Sequence, residues 1–315
     1  MVHETGTGKY EQVLQRCKSL DPVPTAVVHP CETTALGGAI EAAGLGLIVP
    51  ILVGPAARIA EVAAKSGIKL GNTQVIDAPH SHAAAAKAVE LVRDGKAELL
   101  MKGSLHTDEL LGAVVARDAG LRTGRRISHV FLMDVPTYHK ILLVTDAAIN
   151  IAPTLEDKVD ICQNAIDLAT TLGVTRPKVA IVAAVETVTS KMPATIDAAA
   201  LCKMAERGQI VGAQLDGPLA FDNAISKEAA RIKGIKSEVA GDPDILLTPD
   251  LESGNILAKL LSYLAKSDSA GIVLGARVAI ILTSRSDSLR ARIASCAVAV
   301  LVAHARRQAA VRAAP

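Results

Sequence analysis

Three short segments in the second half of the chain combine residue types that could bind and transform an anionic substrate. Residues 216–223, 249–255 and 282–287 supply carboxylates, hydroxyls, one arginine and two glycines. Carboxylates can take up or release protons, and arginine binds phosphate through its fork of donors. Glycine lets the backbone approach a ligand closely. This combination indicates a negatively charged, phosphorylated substrate.

The candidate residues of these segments fall into three groups. They are Asp216, Gly217, Pro218, Asp222 and Asn223; then Asp250, Glu252, Gly254 and Asn255; and finally Ser284, Arg285 and Asp287. In the third group, Arg285 could bind phosphate and Asp287 could act as a base. The alternative is a capped helix start with one surface arginine.

Two further segments carry candidate substrate-binding residues. One follows an apolar run and contains Lys102, Gly103, Ser104, His106 and Thr107; the other contains Asp146 and Asn150. The first could bind an anion at a helix N-terminus through backbone N–H groups and a lysine. It could equally be a plain strand–helix turn capped by Ser104 or Thr107. Taken alone, Asp146 is typical of a turn.

These segments must be positioned by an alternating series of strands and helices. Buried strands are predicted at 25–29, 48–53, 73–76, 98–101, 141–145, 178–184, 210–214, 244–247 and 278–283. Helical patterns lie between them, and a long one covers 288–310. This alternation predicts an α/β fold with a mainly parallel, doubly wound sheet. Each of the three segments is then expected where a strand ends and a helix begins, the edge at which such sheets bind ligands.

The length favours two α/β domains. With 315 residues, the chain is long for one hydrophobic core. The polar stretch 122–126 is the best crossing point, which gives one domain of 1–125 plus 275–315 and a second of 126–274. The first domain then holds both chain ends.

The composition excludes several classes of protein. Half of the residues are hydrophobic, there is no Trp, and the net charge is only +2. A chain with few aromatic side chains and little net charge offers no surface for nucleic acid or an anionic membrane. Apolar runs are too short to span a bilayer. We expect the arginines of the last helix to lie on a solvated face.

The cysteines and histidines favour a cytoplasmic protein without a structural metal. The five cysteines are scattered and form no C-x-x-C pair, which is typical of reduced thiols. His80 and His82 could hold a metal, but no carboxylate or cysteine pair accompanies them, so a polar helix start is favoured. No metal and no cofactor is predicted.

Five ordered motifs resemble the phosphate acetyltransferase/phosphate butyryltransferase family. They lie at 101–103, 191–195, 216–226, 249–255 and 282–285. The resemblance implies reversible transfer of a short acyl group, acetyl or butyryl, between coenzyme A and inorganic phosphate. It also implies two domains around a cleft in the isocitrate/isopropylmalate dehydrogenase-like fold, and a homodimer. Coenzyme A is then a substrate, and acyl-CoA, phosphate and acyl phosphate are the partners.

The family motif assigns roles to a few residues. The Ser-Arg pair of the family matches Ser284 and Arg285, which implies a hydroxyl near the reacting carbonyl or thiol and a guanidinium on phosphate. The acetyltransferases place an aspartate base seven residues after the serine, where this chain has Ala291. Asp287 is the candidate replacement. Arginines expected near Leu111 and near Ser262 are also missing, which favours the butyryltransferase-like branch.

Two other functions remain open. The missing base and arginines motivate a non-catalytic regulator that binds acyl-CoA or phosphate. A dehydrogenase of the same fold would need metal-binding aspartates at helical spacing, and Asp157 and Asp160 are the nearest match. The scattered cysteines lie outside all the motifs, which predicts direct transfer without an acyl-enzyme.

Overall fold

The computed structural model describes residues 8–284 and 287–313 as an alternating series of strands and helices. The strands are β1 (Val23–Val28), β2 (Ile48–Gly54), β3 (Gln74–Asp77), β4 (Leu99–Lys102), β5 (Ser128–Asp134), β6 (Leu142–Thr145), β7 (Lys178–Val182), β8 (Gln214–Leu219), β9 (Ile245–Leu247), β10 (Asp268–Leu274) and β11 (Ala279–Ile281). The helices are α1 (Lys9–Cys17), α2 (Thr33–Gly44), α3 (Ala56–Ser66), α4 (Ser81–Arg93), α5 (Thr107–Val115), α6 (Leu155–Thr171), α7 (Pro193–Glu206), α8 (Phe221–Ile225), α9 (Lys227–Ile232), α10 (Leu251–Tyr263) and α11 (Leu289–Ala313). The predicted α/β class is confirmed.

The chain divides into two compact units. The terminal unit comprises Glu11–Arg125 and Ala270–Pro315, and the central unit comprises Met1–Tyr10 and Arg126–Ser269. The chain passes into the central unit at Arg126, at the end of the polar stretch 122–126.

In the terminal unit, the strands follow the order β3-β2-β1-β4-β11-β10. All neighbours are parallel except β10 and β11, which are antiparallel. Val28 pairs with Lys102, and Met101 pairs with Ile281, so the carboxyl ends of β1, β4 and β11 lie side by side. Every residue of β4, Leu-Leu-Met-Lys, is buried, as expected for a central parallel strand covered on both faces.

In the central unit, the strands follow the order β5-β6-β9-β7-β8. β5 and β6 are antiparallel, and the other neighbours are parallel. Thr145 pairs with Leu247, which also pairs with Ile181, so the carboxyl ends of β6, β9 and β7 are adjacent. The core behind them is apolar and includes Met133, Val144, Leu219 and Leu246.

The prediction for the strand at 210–214 was wrong. The strand is Gln214–Leu219, so Asp216, Gly217 and Pro218 lie inside β8 and not after it. Glycine and proline usually end a strand, which is why the prediction stopped short. β8 is last in the strand order, and a proline without an N–H is tolerated on such an edge strand. Two antiparallel strands, β5 and β10, were also missed.

Candidate active site

Asp146 organises the loop after β6. One carboxylate oxygen accepts from the N–H groups of Ala148 and Ile149, at 3.0 and 3.2 Å. The other accepts from the backbone N–H of Asn150 at 3.1 Å and from its side-chain amide. Asp146 is 3% exposed, and these hydrogen bonds of its carboxylate stay within the loop. The structure therefore uses this carboxylate as a turn residue.

The amide of Asn150 continues the same network. It donates to Ile127 O at 3.0 Å, and its oxygen accepts from Arg126 Nε at 2.8 Å. Asn150 is 4% exposed. The amide nitrogen and the amide oxygen of Asn150 thus bind Ile127 and Arg126, at the start of the central unit.

The segment 249–255 packs directly against this loop. Asp250 caps α10, accepting from the N–H and the hydroxyl of Ser253 at 2.8 and 2.7 Å. Asn255 donates to Ala147 O at 2.9 Å. A methyl group on Gly254 would lie 2.4 Å from Asp146 O, so this close approach requires glycine. Glu252 lies exposed in the first turn of α10. The structure brings together the predicted residues at the ends of β6 and β9.

A second polar group lies after β7 and β8. Asn223 is fully buried and donates to Glu186 at 3.1 Å. Lys233 pairs with Glu186 and with Asp222, each at 3.3 Å. A hydrogen bond from its own backbone N–H and the Lys233 contact lower the pKa of Glu186. Sequence analysis missed Glu186 and Lys233, because each lies outside the motifs and becomes a neighbour only through the fold.

Inside β8, Asp216 and Gly217 serve packing. A methyl group on Gly217 would lie 2.7 Å from Ile181 Cβ, which explains the glycine. Asp216 accepts a hydrogen bond from the N–H of Gly217 at 2.8 Å. Pro218 is buried. The predicted position of these residues at the end of a strand is not what the structure shows.

In the terminal unit, the segment after β4 is held tightly to the end of β1. A methyl group on Gly103 would lie 2.3 Å from Val28 O. The N–H groups of Gly103 and Ser104 donate to Val28 O and His29 O, both at 2.9 Å. Lys102 is 6% exposed. The strand–helix turn predicted from the sequence is present here.

The predicted cap of α5 was wrong. The N-cap is His106, which is exposed and makes no side-chain capping bond, and Thr107 is the first helical residue. The Ser104 hydroxyl instead donates to His29 O at 2.7 Å. Ser104 reaches across to the neighbouring strand end because β1 and β4 are paired.

Ser284 is fixed from two sides. Its N–H donates to Asp287 Oδ2 at 2.6 Å, and its carbonyl accepts from Arg292 Nη2 at 2.8 Å. Arg292 also donates to Thr283 Oγ1 at 2.9 Å. The segment that carries the predicted active-site serine is therefore held by a carboxylate and a guanidinium. Arg285 lies outside the described residues.

Arg292 corrects the prediction that the arginines of α11 lie on a solvated face. It is 3% exposed, and its stem packs on α2, where a methyl group on Gly38 would lie 3.0 Å from Arg292 Cδ. Burial lowers the pKa of this guanidinium, an effect opposed by the charges of Asp287 and Glu32. Asp287 has a structural contact that sequence spacing could not reveal.

The cysteines are poor candidates for nucleophiles. All five are free. Burial raises the pKa of Cys162, Cys202 and Cys296 to about 12, and that of Cys17 to about 11. Because the thiolate is the reactive form, these thiols are chemically inert at neutral pH.

The described residues offer neither a cluster of metal ligands nor a membrane-spanning helix. They contain no cluster of three or more His, Cys, Asp or Glu side chains suited to a metal ion. His80 instead caps α4 by accepting from the N–H of Ala83 at 3.2 Å. None of the helices within the described ranges combines the length and the apolar character needed to cross a membrane.

Known proteins resemble this chain over nearly its whole length. Residues 81–300 match the family described as Phosphate acetyl/butaryl transferase. The chain is 63% identical to a phosphate acetyltransferase of Rhizobium meliloti, over 97% of this chain and 96% of the relative. It is 40% identical to a phosphate butyryltransferase of Clostridium acetobutylicum, over 93% and 98%.

A solved structure gives the same result. A branched-chain phosphotransacylase from Enterococcus faecalis V583 superposes with a TM-score of 0.78 at 29% identity, covering 90% of this chain and 99% of that one. Fold and relatives together define an α/β acyltransferase. The chain belongs to the phosphate acetyl/butyryltransferase family, as the ordered motifs predicted.

Proposed function

We propose that the protein reversibly transfers an acetyl group between coenzyme A and inorganic phosphate. The observation that carries this proposal is the 63% identity, over almost both full chains, to a phosphate acetyltransferase. The identity to the butyryltransferase is lower, at 40%. The missing arginines pointed toward the butyryl branch, but overall identity favours acetyl.

In this reaction, Ser284 and Arg285 have the roles that the family motif implies. As the acyl group moves, negative charge develops on its carbonyl oxygen and on phosphate. Donors aimed at that charge stabilise the transition state and typically accelerate such steps by about 100-fold or more per donor. The two contacts that fix the Ser284 backbone support its role, because they set the position of the hydroxyl.

The transfer is direct, without an acyl-enzyme intermediate. The raised pKa values of Cys17, Cys162, Cys202 and Cys296 support this proposal, because a buried, protonated thiol is a weak nucleophile. Recovery of a labelled acetyl group covalently bound to the protein would contradict it.

The function is tested by mixing the purified protein with acetyl-, propionyl- or butyryl-CoA and measuring thiol release with and without phosphate. We expect phosphate-dependent release, fastest with acetyl-CoA. Release that ignores phosphate would indicate a hydrolase. Tight acyl-CoA binding without turnover would favour the non-catalytic regulator.

Arg285→Ala sharpens this test. Because Arg285 is proposed to bind phosphate by two parallel hydrogen bonds, its loss should raise the KM for phosphate about 30-fold or more. Arg290→Ala is the matched control, since Arg290 pairs with Glu11 on the surface of the terminal unit. Near-normal phosphate affinity in Arg285→Ala would contradict the assigned role.

A dehydrogenase is not favoured. The two aspartates that motivated it are engaged structurally: Asp157 forms the capping box of α6, and Asp160 accepts from the N–H of Arg126 at 2.8 Å. Failure of 2-hydroxy acids to reduce a nicotinamide cofactor is the expected result.

The homodimer, the cytoplasmic location and the role of coenzyme A as a substrate stay predictions. They rest on the family resemblance and on the scattered, free cysteines. Light scattering tests the homodimer directly, and a mass near twice 32.6 kDa is expected.

A further inference from the structure

His29 follows β1 in an uncommon backbone conformation. Its φ is 54°, in the left-handed region that side chains with a Cβ rarely adopt. A residue in this conformation persists only where the surroundings hold it. Strained positions of this kind cluster at functional sites, so the conformation makes the His29 imidazole a candidate functional group.

Several contacts hold His29 in this conformation. Its N–H donates to Val53 O at 2.7 Å, and its carbonyl accepts from the N–H groups of Cys31 and Ser104 at 2.8 and 2.9 Å. Two glycines make room for it: a methyl group on Gly103 would lie 2.6 Å from His29 O, and one on Gly54 would lie 3.3 Å from His29 Cα. The ends of β1, β2 and β4 therefore pack closely around His29.

The Ser104 hydroxyl indicates which ring nitrogen carries the proton. Its oxygen lies 2.7 Å from His29 O and 3.3 Å from His29 Nδ1, and it accepts from the N–H of Cys31 at 3.1 Å. The hydroxyl has one hydrogen, and the short contact to the carbonyl takes it. Nδ1 must then donate to the hydroxyl. In this tautomer Nε2 has the lone pair and can accept a proton.

Charged groups from three neighbouring elements face the imidazole. They are Arg58 on α3, Glu109 on α5 and Glu32 just before α2. Burial and the Arg58 charge lower the pKa of His29 below 6.5, and the two glutamates only partly oppose this. The side chain is half-buried, and its lowered pKa favours the neutral imidazole. A neutral imidazole is able to act as a base.

His29 lies on the same edge of the sheet as Ser284. β1, β4 and β11 are consecutive in the strand order, so the ends of β1 and β11 are roughly 10 Å apart at about 4.8 Å per strand. Glu32 interacts electrostatically with both His29 and Arg292, and Arg292 holds the Ser284 carbonyl. His29 and Ser284 therefore follow nearby strand ends on the same edge of the sheet, the edge at which such sheets bind ligands.

We propose that His29 is the general base that removes the proton from the thiol of coenzyme A. This inference rests on the proposed function and fills the position left open by Ala291. The family aspartate is absent there, and Asp287 is committed to the N–H of Ser284 at 2.6 Å.

The step balances as a proton transfer coupled to acyl transfer. The S–H proton moves to Nε2, and the thiolate sulfur forms a bond with the carbonyl carbon of acetyl phosphate. The bond from that carbon to the phosphate oxygen breaks, and its electron pair leaves with phosphate. Nε2 then releases its proton to phosphate or water. In the reverse direction, the same nitrogen protonates the departing thiolate.

The test is the pH dependence of acetyl-CoA formation by His29→Asn. Asparagine tolerates the left-handed conformation, so this variant keeps the backbone while removing the base. We expect kcat to fall about 100-fold at pH 7, the usual lower end for a general base. The wild-type rate should fall on the acid side with a limb below pH 6.5. The variant should lose this limb, and its rate should rise with pH as the thiol of coenzyme A ionises.

Added imidazole should restore part of the rate in His29→Asn, which a merely structural role would not allow. His82→Asn is the matched control, an exposed histidine in the first turn of α4. Nitrogen NMR of the wild-type His29 ring gives a readout that needs no activity and no variant, and a protonated Nδ1 is expected.

Three results would overturn the inference. These are a His29→Asn rate within threefold of wild type, a loss of rate that is equal at every pH, or a ring protonated at Nε2. A wild-type protein without phosphate-dependent transfer would overturn the proposed function and this inference with it. Normal wild-type transfer with an unaffected variant would overturn the inference alone.

Discussion

The strand ends of the two units treat their polar residues differently. After β6 and β9, in the central unit, Asp146 and Asn150 are buried; the Asp146 carboxylate accepts from its own loop, and the Asn150 amide also bonds Ile127 O and Arg126 Nε. After β1 and β4, in the terminal unit, His29 is half-buried and held in a left-handed conformation.

The polar residues after β6 and β9 stabilise the structure, whereas His29 after β1 is available for proton transfer. A carboxylate that already accepts four N–H hydrogen bonds has little capacity left for a ligand, whereas a neutral imidazole on a fixed backbone is ready to exchange a proton. The sequence analysis predicted substrate-binding residues in both regions, Asp146 and Asn150 in the first and residues 102–107 in the second. Changes in the first should therefore affect mainly stability, and changes in the second mainly catalysis.

Asp146→Ala should have the largest effect on stability. It leaves three backbone N–H groups and one amide without their acceptor, and each buried unsatisfied group costs about 1–3 kcal/mol. We expect unfolding to become easier by about 4 kcal/mol, measured by urea denaturation. Asp157→Ala, which removes the capping box of α6 and an ion pair with the exposed Arg126 side chain, should cost about 1 kcal/mol. Equal losses would contradict the role of the Asp146 carboxylate in stabilising its loop.

Arg292→Met should lower catalysis more than stability, unlike Asp146→Ala. The change removes the hydrogen bonds to Ser284 O and Thr283 Oγ1, and a hydrogen bond to a charged group is worth about 1.5–3 kcal/mol. If that energy positions Ser284, kcat should fall about 10-fold to 100-fold. Stability should change little, because methionine also removes the cost of burying a charge. Unfolding without a loss of kcat in the folded fraction would contradict this role.

Gly38→Ala should have a weaker effect through the same arginine. The new methyl group would lie 3.0 Å from Arg292 Cδ, so the side chain must shift by a few tenths of an ångström. We expect kcat to fall severalfold. Gly37→Ala is the matched control on the same helix, since its methyl group would meet only Ile68 Cδ1 at 3.7 Å. That control should keep wild-type kcat and gain up to about 1 kcal/mol of stability from helix propensity.

Lys233→Met should have the smallest effect. Its ion pairs with Glu186 and Asp222 are exposed to solvent, where screening makes such pairs weak. Hydrogen bonds from backbone N–H groups and from Lys233 lower the pKa of both carboxylates. The stability they contribute is present above their ordinary values of 4.5 and 3.8 and disappears as pH falls through the lowered ones. The difference between wild type and variant should vanish in acid or in 1 M salt; a large difference that persists in both would contradict this account.

Much of the fold could be predicted because it depends on local patterns. Buried strands of Val, Ile and Leu alternating with helices predicted the α/β class, and β4 is buried along its whole length. The strand containing Asp216 was misplaced because its proline is tolerated only through its edge position, which is a property of the sheet. The burial of Arg292 was missed because it depends on Gly38 in a distant helix.

By itself, the sequence determined the fold class, the family and the segments that hold the candidate residues. These follow from residue type, spacing and order along the chain. Only the tertiary structure decided which polar residues are already satisfied and which remain available. It joined His29 to Ser104, because neighbouring strand ends in a parallel sheet are far apart in sequence. It also buried Arg292 of α11 and joined its guanidinium to Ser284, a contact that depends on how the helix packs.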